Sequence, residues 1–156
     1  MKRADNPGVH IPPPLIYAAI FAGAFLIQKV APINDQSLKS LPAQIAGILF
    51  FAAALFFTIR SLTQFFRTKN TVVTIKPAAS LQTNGIYHIT RNPMYIGLLF
   101  IYLGFTCFIG NWWNFIFLPI LLTIVQEYII KREEKYLDRR FGQEYLDYKA
   151  SVGRWI

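Results

Sequence analysis

One cysteine and two histidines leave this chain with no means of forming an internal disulfide and little from which to build a metal site. Cys107 lies in an apolar run, where a lone thiol reads as a small packing residue. His10 and His88 are far apart with no ligand spacing around them, so no metal is expected. Charge is scarce too: 15% of residues are charged, and 8 acidic residues stand against 16 basic ones. A net charge of +8 in a soluble protein would suggest nucleic acid. Here, however, 54% of the chain is hydrophobic and the basic residues gather at the ends of apolar runs. That placement points to anionic lipid headgroups and away from nucleic acid. There is no internal repeat and no low-complexity tract. The basic start MKRADNPGVHIPPP leads into no small-residue cleavage site, so the first apolar run reads as a retained span.

What is abundant is apolar sequence, in four runs. Residues 14–30 follow the proline cluster Pro12, Pro13 and Pro14 and end near Lys29 and Pro32. They are just long enough to span, since about 17 to 25 residues cross the hydrocarbon core. Residues 41–66 are longer and end among Arg60, Arg67 and Lys69, whose side chains can reach the headgroups. Residues 94–109 and 115–130 are separated by Gly110-Asn111-Trp112-Trp113-Asn114, an uncharged turn with two interfacial aromatics that predicts a tight helical hairpin. Pro119 is expected to kink the fourth span. The spacing of Glu127 and Lys131, with Leu137 and Phe141 on an apolar edge, predicts that this helix continues out of the bilayer to a stop at Gly142. Residues 143–151 predict one more short helix, with Tyr145, Tyr148 and Trp155 at the interface or over the site. The expected fold is therefore all-α: one membrane domain over 1–156, about four transmembrane helices, a cytoplasmic connector at 67–93 and a helical cytoplasmic tail at 131–156. Thr71–Ile75 has β-like composition but no obvious partner strand and is expected to be an extended connector.

Lys and Arg are concentrated in the connector and the tail. By the positive-inside rule both termini and Arg91 face the cytoplasm, and the hairpin tip lies opposite. In a prokaryote the membrane would be the plasma (inner) membrane.

The stretch Asn84–Gly97, NGIYHITRNPMYIG, is where polar, aromatic and turn-forming residues crowd between two apolar segments. Asn84-Gly85 marks a turn, and Pro93 suits a first helical turn that Asn92 can cap. The hairpin brings the Glu133-Glu134 pair to the same membrane face. Each part has a plainer reading: Asn92-Pro93 as a helix start only, Arg91 and His88 as headgroup contacts, Glu133 and Glu134 as a solvated face, Tyr87 and Tyr95 as belt aromatics. Their conjunction at one membrane face argues for a site.

GIYHITRNPMYIG followed by EEKYLDRRFGQEYLDYKASVGR resembles the membrane methyltransferase family that contains isoprenylcysteine carboxyl methyltransferase and, more distantly, the phospholipid N-methyltransferases. The family pattern is a Gly-x-Tyr, an Arg-His-Pro-x-Tyr-x-Gly, an apolar hairpin, a Glu-Glu and a Phe-Gly-x-x-Tyr-x-x-Tyr tail. The match covers roughly the second half of the chain. It implies an S-adenosylmethionine site. Tyr87, Asn92, Pro93, Met94 and Tyr95 match cofactor-contacting positions, Ala79, Ser80, Leu81 and Gln82 match a backbone-contacting stretch, and Glu133 matches the carboxylate that holds the cofactor. A carboxylate and aromatic faces suit a ligand bearing a sulfonium, an ammonium and ribose hydroxyls. Arg91 is expected to orient the acceptor, with His88, Glu134, Tyr145 and Tyr148 on the acceptor side or behind the cofactor contacts.

Two positions depart from the pattern. Asn92 stands where the family has His, which keeps hydrogen bonding and loses proton transfer. Ile129 stands where isoprenylcysteine methyltransferases carry a basic residue for the substrate carboxylate. The expected function is methyl transfer from S-adenosylmethionine to a lipophilic acceptor that enters from the bilayer. The alternatives are a non-catalytic membrane scaffold or small-molecule binding protein of the same fold, and a membrane reductase using a nicotinamide cofactor, against which the short length argues.

Overall fold

Proline marks where three of the helices begin. α1 (Pro13–Val30), α2 (Leu41–Arg67) and α3 (Pro93–Ile109) each carry proline at the first or second position. There the missing N–H costs nothing and the fixed φ suits a helix. The computed structural model describes residues 6–68 and 78–155, and the expected connector at Thr71–Ile75 lies outside them.

The hairpin turn forms as its residues predict. Gly110 ends α3 in the left-handed region at φ 70°, a conformation open to glycine at no steric cost. Asn111 then caps α4 (Trp112–Ile124), its side chain accepting the Trp113 N–H at 3.0 Å. Asn111 Nδ2 also donates to the Ala24 carbonyl at 3.2 Å, and Trp113 Nε1 to that of Ala31 at 2.8 Å, which fastens this tip to the end of α1. Pro119 sits inside α4, and the departure from α geometry follows it, as a π-helical segment at Val125–Ile130. α5 (Lys131–Phe141) continues without a break, so the whole helix Trp112–Phe141 is 30 residues long. At about 1.5 Å per residue that exceeds a bilayer core. By length and composition its apolar part, up to Ile130, is able to cross a membrane, and the charged α5 follows it. Gly142 at φ 52° stops α5, and α6 (Gln143–Ser151) follows. Short 3-10 turns occupy Ser37–Lys39 and Gly85–His88.

Small residues let α2 and α3 approach closely. Gly47, Ala54 and Ser61, seven apart, are the buried positions of α2. A Cβ on Gly97 of α3 would stand 2.6 Å from Thr58 Oγ1, and one on Gly104 3.0 Å from the Phe51 ring. Without a hydrophobic driving force between helices in lipid, such close backbone contact is the main source of association. α1 packs on the other side, against α4 and the π segment. Val125, Ile129 and Ile130 are fully buried there with Tyr17, Tyr95 and Val9. Outward-facing apolar residues such as Leu26, Ile48, Leu49 and Leu55 remain more than half exposed, a surface suited to acyl chains rather than water. Among the described residues three helices are long and apolar enough to cross a membrane, and α3 adds a shorter one. This is an all-α integral membrane protein.

Candidate active site

The 3-10 turn Gly85–His88 and the head of α3 are held by the C-terminal tail. Arg91 N–H donates to the Gly153 carbonyl at 3.0 Å, while Thr90 Oγ1 and Asn92 Nδ2 donate to the Arg154 carbonyl at 3.2 and 2.8 Å. Tyr148 hydroxyl donates to the Tyr87 carbonyl at 2.7 Å. Ile86, Tyr87, Tyr145, Tyr148 and Val152 form one buried cluster. The tail thus packs over the site rather than lying at the interface. Asn92 does not cap α3: no side chain does. Its amide is committed to the tail, because the Arg154 carbonyl lies within its reach and a buried amide donor needs an acceptor.

Between these elements lies a cavity of about 550 Å³, within the usual range of about 300–1,000 Å³ for small-molecule sites. Ser80, Leu81 and Gln82 line one side, followed by Tyr87 and Arg91. Asn92, Pro93, Met94 and Tyr95 contribute the head of α3, Glu133 and Glu134 come from α5, and Tyr145 and Tyr148 from α6. Ala79 and His88 do not line it and are exposed. Sequence reasoning missed the N-terminal wall. Pro7, Val9, His10 and Pro12 reach the cavity, and Gly8 is tied down by Arg132, whose Nη1 donates to its carbonyl at 3.0 Å. It also missed Leu98 and Ile101, which extend the apolar lining along α3. In sequence these are ordinary span residues, and only the run Val9-His10-Ile11-Pro12, apolar before the first helix, hinted at a packed segment.

The two adjacent glutamates meet opposite surroundings. Glu134 is bracketed by Arg154, with Nε and Nη2 at 2.9 and 2.8 Å from its two oxygens, and by Arg91 Nη1 at 3.0 Å. Burial pushes its pKa up, but the Arg154 hydrogen bond and the charges of Arg91, Arg154 and Lys149 outweigh that and hold it below the ordinary carboxylate range. Glu133 accepts from the Tyr95 hydroxyl at 2.7 Å and has no cationic partner among the described residues. Burial pushes its carboxyl up to about 7; the Tyr95 hydrogen bond offsets part of this and the Glu134 charge adds to it. A carboxylate so placed at the cavity wall could hold a cation. Tyr87, whose hydroxyl pairs with Ser61 Oγ at 2.9 Å, is held neutral by burial, which raises its pKa. Ile129, at 0% exposure, belongs to the apolar core, so nothing at that position can hold a substrate anion. No group of three metal-ligating side chains occurs among the described residues.

Fold and cavity together define an all-helical membrane protein with a largely apolar pocket that carries a few polar and charged groups, walled by the N-terminal segment, α2, the head of α3, α5 and the tail. The family model for phospholipid methyltransferase matches residues 42–144, well over half of the chain, and the chain belongs to that family of membrane methyltransferases. An uncharacterized protein of Haemophilus influenzae is 40% identical to it over 63 residues, which are 40% of this chain and the whole of that protein. No solved structure matches it.

Proposed function

We propose that the protein transfers a methyl group from S-adenosylmethionine to a lipophilic acceptor at the cytoplasmic face of the membrane, with both termini on that side. The single observation that carries this reading is Glu133: a carboxylate facing a cavity of cofactor size, hydrogen-bonded to Tyr95 and left without a cation among the described residues. The residues fit the group. Glu133 would hold a cationic part of the cofactor, the tyrosines would flank it, and Ser80–Gln82 would contact it through backbone. Family membership supports the choice, since these methyltransferases generally use S-adenosylmethionine and act on lipids.

When bound, the cofactor supplies an electrophilic methyl carbon: the S–CH₃ bond breaks, sulfur keeps the electron pair, and an acceptor oxygen or nitrogen forms the new bond to carbon. The chain's part is positioning and exclusion of water, which suit an in-line displacement. The buried tyrosine cluster and the tail close the polar side, and Leu98 and Ile101 offer an apolar side for the acceptor. A carboxylate or phenolate oxygen needs no base. An amine must arrive deprotonated, and His88, exposed and outside the cavity lining, is not placed to help. Asn92 cannot serve as a base, because an amide does not titrate.

The reading is tested by incubating the purified protein with radiolabelled S-adenosylmethionine and fractionated membrane lipids. Label in a lipid fraction is the expected result and identifies the acceptor class. Folded protein that labels no fraction would favour a binding protein of the same fold.

A further inference from the structure

We propose that Arg91 and the first turn of α3 form an anion subsite within the cavity, one that takes a carboxylate or phosphate group. The inference deepens the methyltransferase reading and rests on it only for which ligand carries the anion.

Three observations converge. First, the Arg91 side chain is 9% exposed and lines the cavity. Its Nη1 is shared between Glu134 Oε1 at 3.0 Å and the Tyr145 hydroxyl at 3.1 Å, its Nε is buried away from any ligand, and its Nη2 makes no hydrogen bond to the described residues. A guanidinium this buried with an Nη2 donor still open is suited to a ligand oxygen, which would complete its hydrogen bonding there. Second, the local charge does not balance. Arg91 and Arg154 both bond to Glu134, so two guanidiniums share one carboxylate and one positive charge is left over. Third, the head of α3 is free to accept an anion. Asn92 spends its side chain on Arg154, Pro93 has no N–H, and the Tyr95 and Ile96 N–H groups turn back to the Asn92 carbonyl. That leaves Met94 as the first-turn N–H without a partner among the described residues, at the positive end of a 17-residue helix.

Together with Glu133 the cavity then offers one carboxylate lacking a cation and one guanidinium donor lacking an anion. That pairing is suited to a zwitterion. Two sources supply the anion: the amino-acid carboxylate of the cofactor, or a phosphate or carboxylate in the acceptor's headgroup. Both present oxygen acceptors that a guanidinium binds well.

The test uses the full-length protein in detergent, with inorganic phosphate as the probe and chloride to hold ionic strength constant. Phosphate is expected to raise the thermal midpoint of the unaltered protein and to leave Arg91→Lys and Arg91→Gln unmoved. On the unaltered protein alone, phosphate is added to binding assays with S-adenosylhomocysteine and with 5′-methylthioadenosine, which lacks the amino-acid part. If the cofactor's carboxylate fills the subsite, phosphate weakens only the first, and Arg91→Gln weakens it by roughly 10- to 100-fold. If the acceptor's anion fills it, phosphate leaves both nucleosides unaffected and raises KM for an anionic lipid acceptor. Phosphate that neither shifts the midpoint nor competes with any ligand overturns the subsite. Failure of both nucleosides to bind, with the Arg91-dependent phosphate shift intact, overturns the methyltransferase reading and keeps the subsite.

Discussion

Glu133 and Glu134 are neighbours in sequence, yet one is neutralised by two arginines and the other meets only a tyrosine hydroxyl. That difference sets the pH dependence. Because burial lifts Glu133 to about 7, a cationic ligand must compete with a proton for it. Affinity for S-adenosylmethionine should therefore be highest above about pH 8 and fall by up to about tenfold per pH unit below 7. Titration calorimetry across pH 6–9 reads this directly. Tyr95→Phe removes a hydrogen bond that lowers the Glu133 pKa, so the midpoint of that profile should move to higher pH. Glu134 behaves oppositely. Its pKa in the folded protein is depressed, so its contribution to stability is present above the unfolded value of about 4.5 and lost as pH falls through the folded one. Of the residues that line the cavity, Tyr87, Arg91, Asn92, Tyr95, Glu133 and Glu134 were legible because polar types stood out against an apolar chain. Their partners were not: nothing local in the sequence tells Asn92 to bind a carbonyl 62 positions away rather than cap its own helix.

Among the elements, the α2–α3 pair and the C-terminal tail make separate predictions. Gly97→Ala places a methyl 2.6 Å from Thr58 Oγ1, whereas Gly23→Ala in α1 meets nothing within 4 Å. The first should cost about 1–3 kcal/mol of stability through overpacking, seen as a lower thermal midpoint, and the second should be neutral or slightly stabilising. For the tail, Glu134→Gln weakens the bidentate hold on Arg154. Hydrogen exchange over residues 152–155 should then accelerate, while α1 and α2 stay protected. Helix starts and stops were readable from Pro12–Pro14, Pro93, Gly110 and Gly142, since each carries its own local physics. The π segment was not, because no residue type within Val125–Ile130 marks the extra residue in its turn.

At the scale of the whole molecule, a hairpin joins α3 to α4 at one side of the bundle, and the same connectivity gathers the head of α3, α5, α6 and the N-terminal segment at the other. Among the described residues, Arg91 and the basic residues of α5 and the tail lie at that second side as well. The proposed orientation therefore predicts that a cysteine introduced at exposed Asp147 in a Cys107→Ser background is labelled by an impermeant maleimide only in inverted vesicles. The fold class was legible from apolar run lengths and charge placement. The cavity's N-terminal wall was not, because it depends on Arg132 reaching back to the Gly8 carbonyl across 124 positions. The central claim is that this cavity holds S-adenosylmethionine through Glu133. Its most direct test is equilibrium binding of S-adenosylmethionine to the purified protein at pH 8, beside Glu133→Gln shown to be folded by its thermal transition. Saturable binding that weakens by roughly 10- to 100-fold in the variant is predicted, the worth of a charge-assisted contact. Absence of binding to the unaltered protein, or equal affinity in the two, would contradict it.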